Sequence, residues 1–341
     1  MIESRVNVKE NPAIGEKYYY VKHKSGLDIY VIPKKLSTYY AMFGTKYGSV
    51  HNKFRIKGEA EYTEVPDGIA HFLEHKMFEN EDGEDTFAKF ARTGASANAY
   101  TSFLCTMYLF SCTDKFYESL EILLDYVTKP YFTEQSVQKE QGIIAQEIRM
   151  GEDNPGRALF FGLMRAMYKN HNARIDIAGT VESIAKIDHH LLYKCYNTFY
   201  NLGNMALCVS GDVTPEEVIA VADKVLKPQA THEVECIEPA EDPEVNRPNF
   251  TCRMQVAKPL FAIGVKDVEI SSNPYERMKK NAAMTVLENM LFGGASEFYN
   301  KLYEEGLITK SFGAWHDHNH SMSMFCVQGE SDRPEEVYSR F

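Results

Sequence analysis

Two histidines four residues apart with a glutamate between them, in His71-Phe72-Leu73-Glu74-His75, are the residues of this chain best placed to do chemistry. On an α-helix, positions i and i+4 share one face a turn apart. His71 and His75 can therefore aim ring nitrogens at one ion while Glu74, at i+3, borders the same face. Zinc suits this ligand set, because a catalytic zinc keeps three protein ligands and an open water position. The order His-x-x-Glu-His is the reverse of the better-known His-Glu-x-x-His arrangement. Three fixed residues in five can arise by chance, so the reading demands a third ligand.

The elements that must position these groups are legible nearby. Pro66-Asp67-Gly68 is a breaker cluster with Asp67 as the expected N-cap, and Ile69, Ala70, Phe72, Leu73 and Phe78 supply apolar surface for a helix that carries the motif. A second helix is expected over residues 133–150, with Thr133 as N-cap, Glu134 and Gln135 in the first turn, and Val137, Ile143, Ile144 and Ile148 at helical spacing. Glu140 and Glu147 sit at i and i+7 on it, so both acids project from one stripe. One of them can bind the metal while the other orients a histidine ligand; a solvated acidic face is the competing reading. Gly142 costs about 1 kcal/mol against Ala in a helix interior, which predicts close packing of another element at that point.

With these helices in place, the sequence resembles the inverzincin metallopeptidases, the group of pitrilysin, insulysin and the mitochondrial processing peptidases, and within it the short bacterial, YmfH-like branch. In that group a His-x-x-Glu-His helix is followed by a Glu-x6-Glu helix, the spacing of Glu140 and Glu147 here. The resemblance implies that His71, His75 and Glu147 bind one zinc ion per chain, that Glu74 is the general base, and that Glu140 supports a ligand. The run Gly94-Ala95-Ser96-Ala97-Asn98-Ala99-Tyr100-Thr101, followed by Thr106-Met107-Tyr108, resembles the group's substrate-binding edge strand. It implies Asn98, Ala99, Tyr100 and Thr101 as peptide contacts. The likeness extends to Tyr200, Asn201, Met205 and Val209-Ser210-Gly211-Asp212-Val213.

The implied fold class is α+β, with two homologous α/β sandwich-like domains of the pitrilysin-family type, the second incomplete in this chain. Residues 1–226 are expected to form the zinc-bearing peptidase domain. Strands are expected over 27–33, 40–50, 97–112 and 205–210, and helices around the motif and over 87–92, 116–128, 158–168, 188–199 and from Pro215 to about 226. Residues 227–249 turn to Pro, Glu and Asp without apolar periodicity and read as a linker. Residues 250–341 read as a degenerate copy of the first domain: Thr285-Val286-Leu287-Glu288-Asn289 overlays the motif with both histidines lost, a long strand over 311–329 follows, and a helix starts near Arg333. The copy cannot hold zinc.

Composition narrows the class. A chain of 341 residues with 44% hydrophobic content can bury a proper core. The start Met1-Ile2-Glu3-Ser4-Arg5 has no basic region leading into an apolar stretch, and no run approaches a membrane span, so neither export nor insertion is expected. Seven cysteines without a Cys-x-x-Cys pair fit a reducing cytoplasm. A formal charge of −11 and the lack of a basic stripe argue against nucleic acid as a partner. His316, His318 and His320 alternate, so on a strand all three would share a face and form a competing metal site. Met322 and Met324 read as core, and His189 and His190 as helix surface.

The expected function is that of a zinc-dependent endopeptidase whose peptide docks as an added β-strand. The rivals are a non-catalytic subunit of a peptidase complex and a zinc hydrolase of small amides. In active members of the group an Arg and a Tyr reach the zinc site from the second type of domain. The matching stretch here, Leu302-Tyr303-Glu304-Glu305-Gly306-Leu307-Ile308-Thr309, has Tyr303 and Thr309 in their places. The resemblance therefore implies a homologous partner subunit that supplies the Arg/Tyr pair, with a homodimer as the alternative.

Overall fold

Residues 5–341 are described by a computed structural model. Of the N-terminal stretch read above for export, Met1 to Ser4 lie outside the described residues. In chain order the strands are β1 (Arg5–Asn11), β2 (Glu16–Lys22), β3 (Asp28–Pro33), β4 (Tyr39–Thr45), β5 (Lys53–Ile56), β6 (Thr63–Glu64), β7 (Ser96–Thr101), β8 (Thr106–Cys112), β9 (Met205–Gly211), β10 (Val234–Cys236), β11 (Leu260–Asp267), β12 (Gly313–His318) and β13 (Ser323–Glu330). The helices are α1 (Ile69–Lys76), α2 (Thr86–Thr93), α3 (Phe116–Val127), α4 (Glu134–Glu152), α5 (Pro155–Met167), α6 (Val181–Ile184), α7 (His189–Phe199), α8 (Pro215–Val225), α9 (Pro274–Phe292), α10 (Glu297–Glu304) and α11 (Pro334–Arg340). The chain divides into two compact units, one running to Gln146 and resuming over Asp176–Ile237, the other made of Glu147–Ile175 and Glu238–Phe341.

The first unit is organised by a seven-stranded sheet in the order β1-β2-β3-β9-β4-β8-β7, antiparallel except where β3 meets β9. β8 and β9 alternate strictly between buried and half-buried positions, the period-2 pattern of strands with one face on a core. That face buries Ile29, Val31, Ala41, Phe43, Phe110, Leu207 and Val209 completely. α1 packs against β7, β8 and α7, and α3 against β4, β8 and α8. β7 is an edge, so among the described residues no strand lies beside one side of its backbone.

In the second unit a three-stranded sheet has the order β11-β13-β12. Apart from β5 and β6, which follow β4 in the first unit, its connectivity repeats that of β4-β8-β7: a strand, two helices, a hairpin whose second strand is central, then a helix. The repeat read from Thr285-Val286-Leu287-Glu288-Asn289 is thus also a repeat of topology. α5 lies close on β11 because Gly264 lacks a side chain; a Cβ there would sit 2.4 Å from Met167 Sδ and 2.8 Å from Leu163 Cδ1. Phe261, Leu302, Leu307, Ile308, Phe312, Val327 and Val337 form an apolar cluster, and Met322 and Met324 are buried as read.

Several expectations need correction. The strands expected over 97–112 and 311–329 are each a hairpin, β7–β8 and β12–β13, because Ser102-Phe103-Leu104-Cys105 and the stretch after His318 turn the chain without a Gly or Pro to announce it. The strand expected over 40–50 stops at Thr45. Gly142 has open space around its missing Cβ, with no other element of the described residues within 4 Å of it; Ile143, at 45% exposure, is likewise off the buried stripe of Val137, Ile144 and Ile148. The stretch read as a linker contains a short strand, β10, which pairs with β5.

That stretch is also anchored by one carboxylate. Glu241 accepts hydrogen bonds from the backbone N–H groups of Lys169 (2.8 Å), Asn170 (2.8 Å) and His171 (2.6 Å), and from Lys266 Nζ (2.6 Å). Burial alone would raise its pKa, but the Lys266 ammonium and the three N–H groups outweigh it and hold the carboxyl below its ordinary value of 4.5. A depressed folded pKa means that the stabilisation is complete above the unfolded value and is lost as pH falls through the folded one. Glu241→Gln, which mimics the acid form, is therefore expected to lower stability at neutral pH by roughly 2 kcal/mol. Denaturant unfolding of both proteins at pH 7 and at pH 3 to 4 checks this: the gap should close in acid, and an unchanged gap would refute the linkage.

Candidate metal centre

α1 is a buried helix with one working face. Ile69, Ala70, Phe72, Leu73 and Met77 are exposed by 1% or less, whereas His71 and His75 are half-buried. Its start differs from expectation. The N-cap is Gly68, at φ 89°, and Asp67 instead accepts a hydrogen bond from Asn52 Nδ2. A Cβ on Gly68 would lie 2.4 Å from the Ala178 carbonyl oxygen, and one on Gly179 would lie 2.5 Å from that of Asp67. Both glycines also have positive φ, so two bare backbones abut and fix where the helix begins.

α4 begins as expected. The Thr133 hydroxyl accepts from Ser136 N–H, and Ser136 Oγ accepts from Thr133 N–H, a reciprocal cap. Ser136 Oγ also accepts from Lys76 Nζ at 2.9 Å. Lys76 has no solvent exposure and is ion-paired to Glu79, so its ammonium is a strut between the end of α1 and the start of α4. Nothing in the sequence singled Lys76 out; its place next to His75 looks like that of any helix-surface lysine.

These two helices bring the predicted groups together. His71, His75 and Glu147 each offer a donor atom, and the three atoms lie within 4.8 Å of one another, the only such group of three among the described residues. The two imidazole rings are 4.6 Å apart between centroids, at 65°. Glu140 Oε1 lies 2.9 Å from His75 Nδ1. That bond engages one nitrogen of the ring, the carboxylate–histidine pairing common behind zinc ligands. Two imidazoles and a carboxylate are a donor set that fits zinc.

Glu74 is 8% exposed, and its Oε2 accepts a 2.6 Å hydrogen bond from the Thr101 hydroxyl on β7. Two buried phenols feel the charge of Glu74: Tyr108 and Tyr200 hydrogen-bond each other at 2.8 Å, and burial pushes both well above their ordinary range.

The edge strand has two faces. Ala97, Ala99 and Thr101 are half-buried, while Ser96, Asn98 and Tyr100 are exposed. At the hairpin turn Ser102 N–H donates to Cys105 O. By alternation along an antiparallel pair, Tyr100 and Asn98 also direct their N–H groups at β8, and Thr101, Ala99 and Ala97 direct theirs away from the sheet. Consistent with this, Ala99 N–H donates to Asn98 Oδ1 at 2.9 Å.

The competing metal site does not assemble. β12 ends at His318, leaving His320 exposed beyond the strand. His316 Nδ1 pairs with Glu288 at 2.8 Å, His318 Nδ1 with Ser323 Oγ at 2.6 Å, and the three histidines form no metal-holding group among the described residues. Tyr303 stacks on Tyr299 and is 41% exposed, and Thr309 Oγ1 bonds Ser311 and Glu330.

Comparison with known proteins agrees with this architecture. Residues 58–181 match "Insulinase (Peptidase family M16)" and residues 186–341 match "Peptidase M16 inactive domain". The chain belongs to peptidase family M16, the insulinase family. It is 44% identical to the zinc protease YmfH of Bacillus subtilis over 96% of this chain and 77% of that protein. It is 29% identical to the mitochondrial-processing peptidase subunit beta of Caenorhabditis elegans over 49% of this chain and 37% of that one. Among solved structures, an M16-like peptidase from Alicyclobacillus acidocaldarius superposes with a TM-score of 0.89 at 37% identity, covering 100% of this chain and 78% of that one. Among the described residues, no helix is long and apolar enough to cross a membrane.

Proposed function

We propose that this chain is a zinc-dependent endopeptidase that binds its substrate as an added strand on β7. The observation that carries the reading is the convergence of His71, His75 and Glu147 beside an acid, Glu74, and an open strand edge. His71, His75 and Glu147 would hold the ion, and Glu140 would fix the His75 ring through Nδ1. Bound there, zinc supplies a Lewis acid that makes a water acidic and polarises the scissile carbonyl. Glu74 takes the proton of the attacking water and returns it to the leaving amine nitrogen. The outward backbone groups of Ala97, Ala99 and Thr101 pair with an extended peptide, which gives affinity with little demand on side chains. Asn98 releases Ala99 N–H when the peptide arrives and contacts its backbone, and Tyr100 lies on the exposed face of the same strand.

Replacing Ala99 with Pro tests the docking edge, because it deletes the outward N–H and leaves the ladder to β8 intact. Peptide cleavage by the full-length variant should show KM raised about tenfold or more with zinc content unchanged. A parent-like KM would sink the strand-addition reading. The transition-state oxygen also needs donors, which Tyr303 and Thr309 do not replicate in the places where an Arg and a Tyr stand in active relatives. Activity is therefore expected to appear on mixing with a homologous subunit that carries that pair, a protein localised with this one in the cytoplasm. Full turnover by the purified protein alone would replace the heterodimer with a homodimer.

A further inference from the structure

We infer that Thr101 is a positioning residue for Glu74, an inference that rests on the reading of Glu74 as the general base. A carboxylate serving as base must present one oxygen to the water and keep the other out of the way, yet the last torsion of a glutamate is soft. Here Oε2 is claimed by the Thr101 hydroxyl at 2.6 Å, the length of a charge-assisted bond.

The neighbours settle which way the hydroxyl points. Thr106 Oγ1 lies 3.3 Å from Thr101 Oγ1, but the Thr106 proton goes to the Tyr47 carbonyl oxygen at 2.9 Å. Thr101 has one proton and gives it to the closer, charged acceptor. Its side chain is held in turn: it is β-branched, with a stiff first torsion, and its backbone is locked opposite Thr106 in the β7–β8 ladder.

Thr101 thus ends the strand whose outward edge receives the peptide, while its side chain fixes the base. One rigid element sets both the register of the substrate and the aim of Glu74, so the two cannot drift independently. This differs from the role implied by resemblance, in which Thr101 only touches substrate. A side-chain contact to peptide would act on KM, whereas a hold on the base acts on kcat.

The pair Thr101→Val and Thr101→Ser separates these. Val matches Thr in shape and strand preference but has no hydroxyl; Ser keeps it. In the full-length enzyme under its active conditions, Thr101→Val should lose kcat on the order of 10- to 100-fold with KM within about twofold. Zinc content and melting temperature should match the parent, and Thr101→Ser should recover kcat to within about threefold. A crystal structure of metal-free Thr101→Val should show the Glu74 carboxylate displaced, and that of Thr101→Ser should not. Parent-like kcat in Thr101→Val, a loss confined to KM, or an unmoved Glu74 carboxylate would each overturn the inference. Glu74→Gln is run alongside. If it is as active as the parent, the base assignment itself falls; if it is dead while Thr101→Val is fully active, only the positioning role falls.

Discussion

Glu74→Gln is expected to keep its zinc and its fold while losing peptidase turnover by about 10²- to 10⁴-fold, the range attributed to a positioned general base. The amide has nearly the shape of the carboxylate and can still accept the Thr101 hydrogen bond through its oxygen, so the surroundings of α1 need not rearrange. What it cannot do is take a proton from water. The measurement is kcat on a peptide that the parent cleaves, beside zinc stoichiometry of the two proteins. Retention of a tenth or more of parental turnover would show that Glu74 is not the base. Loss of zinc in the variant would mean that the acid belongs to the metal's own shell.

Glu147→Gln is expected to empty the site, and Glu140→Gln to weaken it. Glu147 is one of three donors within 4.8 Å of one another, and a neutral amide oxygen is a far poorer zinc ligand than a carboxylate. In the proposed site Glu140 would act on the ion only through His75, whose Nδ1 it engages at 2.9 Å, and the loss of such a supporting carboxylate commonly costs 10- to 100-fold in affinity. Metal analysis after dialysis against a graded chelator series should rank the parent first, Glu140→Gln second and Glu147→Gln last. Full zinc occupancy in Glu147→Gln would transfer the third-ligand role to Glu140 or to water. The thermal shift on adding zinc gives an independent reading, since an ion that binds only the folded chain raises its melting temperature.

What could be read in advance follows the range of the signals. The pairing of His71 with His75 and of Glu140 with Glu147 is local to one helix each, so spacing alone placed them on faces. The start of α8 was equally plain, because Thr214, Pro215 and Glu217 are a capping box with proline in the first turn. Features that depend on distant chain were not legible. Gly68 rather than Asp67 caps α1 because the Ala178 carbonyl oxygen lies against it, more than a hundred residues away. The burial of Lys76 depends on Ser136, and the grip of Thr101 on Glu74 on the meeting of a strand edge and a helix. The β1–β2 hairpin went unread because β1 is exposed along its whole length and offers no buried alternation to detect. The one retrievable hint was period: Ala97, Ala99 and Thr101 share a strand face, so a small-residue face that ends in a hydroxyl was visible before its partner was.

The bond from Ala99 N–H to Asn98 Oδ1 bears on which molecules can be guests at all. An unoccupied strand edge invites any other edge, including that of a neighbouring copy, and cells pay for such openings in aggregation. On β7 the opening is only six residues long, and its middle donor is stoppered by a side chain of its own. A visitor must displace that stopper, so its bond to Ala99 N–H is in part an exchange and gains less than the bonds on either side. Short peptides, able to reach one pair of groups, gain almost nothing from landing there. On the docking mode proposed above, a chain long enough to span from Ala97 to Thr101, roughly five residues or about 16 Å when extended, would be the smallest to profit, and the edge would act as a crude ruler for length.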